Sequence, residues 1–140
     1  MSQPQRQLPQ PDRDSAPYWA ALREGRLELQ RCRDCRTWRW PARAICHRCH
    51  SFATSWEATD GGGRIASWVV THQAFAPGWQ DALPSVVVSV ALDVAPEIQL
   101  LGNLISGEPA VGLAVHATFP KIGDGMRLLQ WKAHPETRTG

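Results

Sequence analysis

The chain has 140 residues, 43% of them hydrophobic, enough for one compact domain or for a small domain joined to a modest core. No run approaches the roughly 18 uninterrupted apolar residues of a membrane-spanning helix. The net charge of +2 is uneven: residues 1–50 hold ten Lys/Arg against five Asp/Glu, and residues 51–140 hold five against eight. This leaves the N-terminal part positive, which points either to an anionic ligand or acidic partner there, or to a solvated arginine-rich surface.

The opening "MSQPQRQLPQPDRDSAP" is polar and Pro/Gln-rich, without the apolar centre of a secretory signal. Residues 1–14 therefore read as a disordered lead-in, and a cytoplasmic setting is expected. "DSAPYWAALREG" then carries helix signals: Asp14 or Ser15 to cap, Pro17 in the first turn and Gly25 to stop. Tyr18, Trp19 and Leu22 give it a short apolar stripe. "RLELQ" alternates Leu27 and Leu29 with polar residues and leads as a strand into the first cysteine.

All four cysteines follow, as Cys32-x2-Cys35-x10-Cys46-x2-Cys49. Each Cys-x-x-Cys turn can aim two sulfurs at one point, and two such knuckles complete a tetrahedral thiolate cage. Zinc suits that cage because it is redox-inert and accepts four thiolates without a geometric penalty, although a rubredoxin-like iron site shares the geometry. Two disulfides are the other use of such spacing. Catalytic zinc keeps a position open for water, whereas four cysteines close the shell. The expected metal is thus structural, contributing on the order of 10–16 kcal/mol to a ribbon with too little apolar surface to fold unaided. His47 and His50 adjoin the second knuckle but are not needed as ligands.

Beyond the cysteines, "SWEAT" is a short strand and Gly61–Gly63 a turn or bulge. Five segments rich in β-branched and aliphatic residues follow: "RIASWVVTHQ", "SVVVSVALD", "IQLLGNL", "AVHATF" and "MRLLQWK". Five strands separated by Gly/Pro turns, with Gly112 before the fourth, suit an OB-type barrel. The expected fold is mainly β: a short N-terminal helix, a rubredoxin-like zinc ribbon and a C-terminal OB-fold barrel. Residues 15–53 would form the helix and ribbon, 54–133 the barrel domain and 134–140 a tail.

Catalytic motifs are missing. With four cysteines in the cage no thiol is left as a nucleophile, and there is no nucleophile elbow, P-loop, dinucleotide fingerprint or His-Glu-x-x-His. His72, His116 and His134 stand apart in sequence, and no catalytic residue is assigned. Binding is the alternative. A zinc ribbon joined to an OB barrel could hold single-stranded nucleic acid, but the acidic barrel half lacks the positive track that this needs. The other class is an accessory subunit for an anionic small molecule such as a coenzyme A thioester.

Residues in order carry a family resemblance: "YWAALREGRLELQRCRDC", "PARAICHRCHS", "GGGRIASWVVTHQAF", "LPSVVVSVALD" and "VGLAVHATF". From about Pro17 to Trp131 this resembles the bacterial and archaeal zinc-ribbon plus OB-fold proteins that associate with acyl-CoA enzymes. The resemblance implies a small subunit that partners a thiolase-superfamily protein acting as thiolase, acyltransferase, synthase or retro-aldolase. The partner would supply the catalytic residues, and this chain would help bind coenzyme A. Arg36 and His50 depart from the family, which usually places glycine there; a knuckle tolerates both if neither needs a left-handed backbone.

On this reading Cys32, Cys35, Cys46 and Cys49 hold zinc. Arg33, Arg36, Arg39, Arg43 and Arg48 are displayed on the ribbon, for phosphates of coenzyme A or carboxylates of a partner. Trp38 and Trp40 share one face of a strand and pack on the barrel, stack an adenine or fill a partner's pocket. In the long loop "THQAFAPGWQDALP", His72, Phe75 and Trp79 are expected to line a passage for the pantetheine arm, or else to plug the barrel end.

Overall fold

The computed structural model describes residues 8–73 and 83–134. The first element is helix α1, Ala16–Arg23. Ser15 is its N-cap residue but makes no side-chain capping bond. Instead the Ser15 N–H donates to Asp12 Oδ1 at 2.7 Å and the Asp12 N–H donates to Ser15 Oγ at 3.1 Å, closing the chain just before the helix. At the other end Gly25 adopts φ +78. Its N–H donates to Leu22 O at 2.9 Å and the Arg26 N–H to Ala21 O at 3.0 Å, the two bonds of a Schellman stop. Tyr18, Ala21 and Leu22 are buried and Trp19 packs partly against them, as the periodicity predicts.

A three-stranded antiparallel sheet follows, with β1 (Glu28–Cys32) between β2 (Trp38–Arg39) and β3 (Thr54–Ala58). β1 pairs with β3 along its whole length, from Glu28 opposite Ala58 to Cys32 opposite Thr54. The "SWEAT" strand therefore closes the ribbon sheet before the chain enters the barrel.

The barrel is closed, in the order β4 (Gly62–Thr71), β5 (Ser85–Leu92), β6 (Gln99–Ser106), β10 (Gln130–Ala133), β7 (Ala114–Thr118) and back to β4. Only β6 and β10 run parallel. Counted along the barrel's own five strands this is 1-2-3-5-4-1, the OB connectivity. The last expected strand, 126–132, is divided. Met126–Arg127 (β9) pairs back on Lys121–Gly123 (β8), across the turn at Asp124 and Gly125, and the chain then changes partner to form β10.

Inward residues of every barrel strand, among them Ile65, Val88, Val90, Leu100, Val115 and Trp131, share one core with Tyr18, Leu22, Leu27 and Leu29. Helix, ribbon base and barrel are thus packed as one body, so the metal centre is carried on a rigid support. β4 pairs with β7 only over Gly62–Arg64, whereas it pairs with β5 as far as Thr71. The far end of the β4–β5 hairpin leaves Trp68, Val69 and Val70 exposed. Among the described residues, no helix is long and apolar enough to cross a membrane.

Candidate metal centre

The two knuckles are built alike. In the first, the Arg36 N–H donates to Cys32 O at 3.0 Å and the Cys32 N–H to Thr37 O at 2.9 Å. In the second, the His50 N–H donates to Cys46 O at 2.9 Å and the Cys46 N–H to Ser51 O at 2.8 Å. Each turn closes through a residue at positive φ, +65 at Arg36 and +64 at His50. The condition attached to the two missing glycines therefore fails: both positions do need a left-handed backbone. Arg36 and His50 hold it because the cross-knuckle bonds fix the turn, and each carries the steric cost that glycine avoids.

The four sulfurs converge. Cys32 Sγ lies 3.5 Å from Cys49 Sγ and Cys35 Sγ lies 3.6 Å from Cys46 Sγ. All four ligand atoms fall within 4.8 Å of one another. A tetrahedron with Zn–S bonds of about 2.3 Å has sulfurs roughly 3.8 Å apart, so this set fits a four-thiolate metal and leaves no position open. None of the four cysteines is in a disulfide. Backbone N–H groups face the sulfurs, Cys35 N–H to Cys32 Sγ at 3.5 Å and Arg48 N–H to Cys46 Sγ at 3.4 Å, which stabilises thiolate charge.

Hydrogen bonding with the side chain and backbone of Thr37 pulls the Cys35 thiol down to about 6. The Cys49 N–H, chiefly, lowers Cys46. The Ser51 N–H pulls Cys49 down, but burial and the sulfurs of Cys32, Cys35 and Cys46 together push it up to about 12. Three gathered sulfurs thus resist a fourth negative charge, and a divalent cation relieves that repulsion. The knuckles are also tied to each other: the Arg33 N–H donates to Ala53 O at 3.0 Å, and the Ser51 hydroxyl donates to Asp34.

The five arginines do not form one displayed set. Arg33, Arg43 and Arg48 are exposed. Arg36 is exposed too, but its guanidinium grips Glu57 at 2.9 Å. Arg39 corrects the expectation, being only 1% exposed. It stands opposite buried Gln30 in the β1–β2 register, on the inner face of the ribbon, and among the described residues its three guanidinium nitrogens have no hydrogen-bond partner. Trp38 packs against the core with the Arg31 guanidinium 4.5 Å over its ring, and Trp40 lies 4.8 Å from Tyr18. Both tryptophans thus make packing contacts. Arg31 and Glu57 were missed by the sequence reading; their pairing across β1 and β3 at 3.4 Å becomes visible only once the strands are in register. His72 is exposed just past β4, and Phe75 and Trp79 lie outside the described residues.

Two family models match consecutive parts of the chain. Residues 19–55 match the ChsH2 rubredoxin-like zinc ribbon domain and residues 56–120 the ChsH2 C-terminal OB-fold domain. The chain belongs to the ChsH2 zinc-ribbon/OB-fold family. A chain of the solved Ltp2-ChsH2(DUF35) aldolase is similar over 90% of this chain and 98% of its own length, with TM-score 0.81 and 28% identity. A DUF35 protein of unknown function from Sulfolobus solfataricus shares the fold, with TM-score 0.59 and 15% identity over 87% of this chain and 86% of its own. Among curated relatives, the probable enoyl-CoA hydratase alpha subunit of Thermomonospora curvata is 33% identical over 106 residues, 74% of this chain. The 3-oxo-4,17-pregnadiene-20-carboxyl-CoA hydratase alpha subunit of Mycobacterium tuberculosis is 29% identical over 119 residues, 83% of this chain. The chain spans only about a third of the length of these two relatives, 31% and 37%.

Proposed function

We propose that this chain is the small, non-catalytic subunit of a heteromeric thiolase-superfamily enzyme acting on acyl-CoA thioesters. One observation carries the reading: the likeness to a chain of the Ltp2-ChsH2(DUF35) aldolase, which covers nearly all of that chain. The two hydratase alpha subunits are matched over only a third of their lengths, so the aldolase component is the better guide to a module of this extent. Retro-aldol cleavage by the partner is accordingly the favoured chemistry, with thiolase and acyltransfer reactions behind it.

In this role a structural zinc, held by Cys32, Cys35, Cys46 and Cys49, fixes the ribbon. Arg33, Arg43 and Arg48 are free to meet coenzyme A phosphates or partner carboxylates, as is Arg36 if it exchanges Glu57 for either. Arg39 has no such access. His72, with Phe75 and Trp79, is proposed to line the pantetheine passage at the barrel mouth. Residues 15–53 serve as helix and ribbon and 54–133 as the barrel unit, whose first strand, Thr54–Ala58, completes the ribbon sheet, and the complex works in the cytoplasm.

Co-expression with the thiolase-like protein of the source organism tests the reading. A stable complex that cleaves or condenses an acyl-CoA, with an isolated chain that turns over none, is the expected outcome. Carbon–carbon chemistry by the isolated chain overturns it. Trp79→Ala separates the passage from mere packing: lower coenzyme A affinity in an intact complex supports it, and unchanged affinity removes Trp79.

A further inference from the structure

We propose that the metal-bound head of the ribbon is a docking surface for an acidic patch with an apolar socket on the catalytic subunit. Phe52 would be its anchor, and Arg33 and Arg48 its charged rim. The inference rests on the subunit reading above and assigns it a surface. Phe52 is 73% exposed and Ile45 41%, beside a folded knuckle rather than in a floppy segment. Ile45 and Phe52 flank the two residues joined by the Cys46 N–H bond to Ser51 O, and the Arg33 N–H bond to Ala53 O ties Arg33 to the residue after Phe52. Arg48 lies within the second knuckle, its N–H on Cys46 Sγ. Two exposed apolar residues and two exposed arginines thus belong to the same pair of joined knuckles.

The charge at that end selects the partner. Arg36 and Arg31 are paired with Glu57, whereas among the described residues Arg33 and Arg48 have no carboxylate within salt-bridge distance. Asp34 shares the head but accepts the Ser51 hydroxyl. The zinc–thiolate unit is itself anionic, with Cys32 and Cys46 buried and Cys35 and Cys49 exposed, but Arg33 and Arg48 are exposed beside it, and their side chains are long enough to present guanidinium to an approaching surface. Carboxylates around an apolar socket complement this pattern. Nucleic acid does not, because phosphate-tracking surfaces need several free cations in a row and the barrel half carries an acidic excess. An exposed aromatic carried on the same knuckles as exposed arginines is also the composition of an interface anchor.

The test uses the full chain co-purified with the thiolase-like subunit of its source organism, with affinity measured by titration at low and high salt. Phe52→Ser and the double variant Arg33→Glu/Arg48→Glu are compared with Leu101→Ser, which alters an exposed apolar residue on the barrel wall, 69% exposed. Zinc content and melting temperature establish that each variant is folded. The expected result is at least about a tenfold loss of affinity for Phe52→Ser and for the double variant, with Leu101→Ser near wild type. The double variant also loses the salt sensitivity of the wild-type complex. Affinity within twofold of wild type for both head variants overturns the docking surface and leaves the subunit reading standing. Failure of the wild-type chain to form any complex overturns that reading, and the docking surface with it. Salt-sensitive binding of a single-stranded oligonucleotide, abolished in the double variant, would reassign the head to nucleic acid and overturn the proposal.

Discussion

Gly102 on β6 leaves its side-chain space to the indole of Trp131 on β10: a Cβ at 102 would stand 2.9 Å from Trp131 Cδ1 and 2.9 Å from Leu129 O. Trp131 is fully buried, and its strand is the parallel partner of β6 that helps close the barrel. Gly102→Ala therefore forces the indole or the backbone at 129 to move, an overpacking cost of about 1–3 kcal/mol. A lower urea midpoint with an unchanged slope is expected. An unaltered midpoint would mean that the contact relaxes freely.

His50 holds a left-handed backbone at φ +64 and its side chain is exposed. His50→Gly is expected to stabilise the zinc-loaded chain by about 1 kcal/mol, read as a higher melting temperature. Arg36→Gly relieves a similar strain at φ +65 but also removes the ion pair to Glu57, so its gain should be smaller. Equal gains at both positions would show that the ion pair contributes nothing.

Cys46 is fully buried within the sulfur cluster. Cys46→Ser should yield chain with little bound zinc and a ribbon that no longer melts with the barrel, as should chelation of the wild type. Elemental analysis under reducing conditions gives the stoichiometry, expected at one metal per chain. Retention of full zinc by the serine variant would point to a ligand other than these four.

Arg39 is a buried cation whose guanidinium finds no hydrogen-bond partner among the described residues. Such a charge costs more in lost hydration than its stem gains in packing. Arg39→Met keeps the stem's volume without the charge and is expected to hold or raise the melting temperature. A clear drop would reveal an acceptor for the guanidinium.

His116 on β7 faces His134, with ring centroids 4.8 Å apart, and Lys132 across the β7–β10 ladder. Burial first, then the positive charges of His134 and Lys132, hold its pKa below the ordinary histidine value. The unfolded chain therefore takes up this proton more readily than the folded one. The contribution to stability is complete above the unfolded value of about 6.5 and is lost as pH falls through the lower folded value. Melting temperatures between pH 7.5 and 5.5 should fall less for His116→Asn than for wild type, and parallel profiles would remove His116 as a cause.

Much of this protein was legible in the order of its residues. The cysteine spacing announces the cage because a Cys-x-x-Cys turn is local: two residues between two sulfurs leave few ways to aim them. Gly25 stops the helix and the punctuated Val/Ile/Leu runs become barrel strands for equally local reasons. Register and burial were not legible, because they depend on partners far along the chain. Arg39 looks like its neighbouring arginines in sequence, and only the pairing of β2 with β1 turns it inward opposite Gln30. Met126–Arg127 has the composition of a barrel strand, yet it pairs with the adjacent β8 through a tight turn before the chain reaches the barrel. The knuckles hold the same lesson in reverse. Arg36 and His50 carry no local sign of a left-handed backbone, and it is the closure of each turn around its cysteines that imposes one.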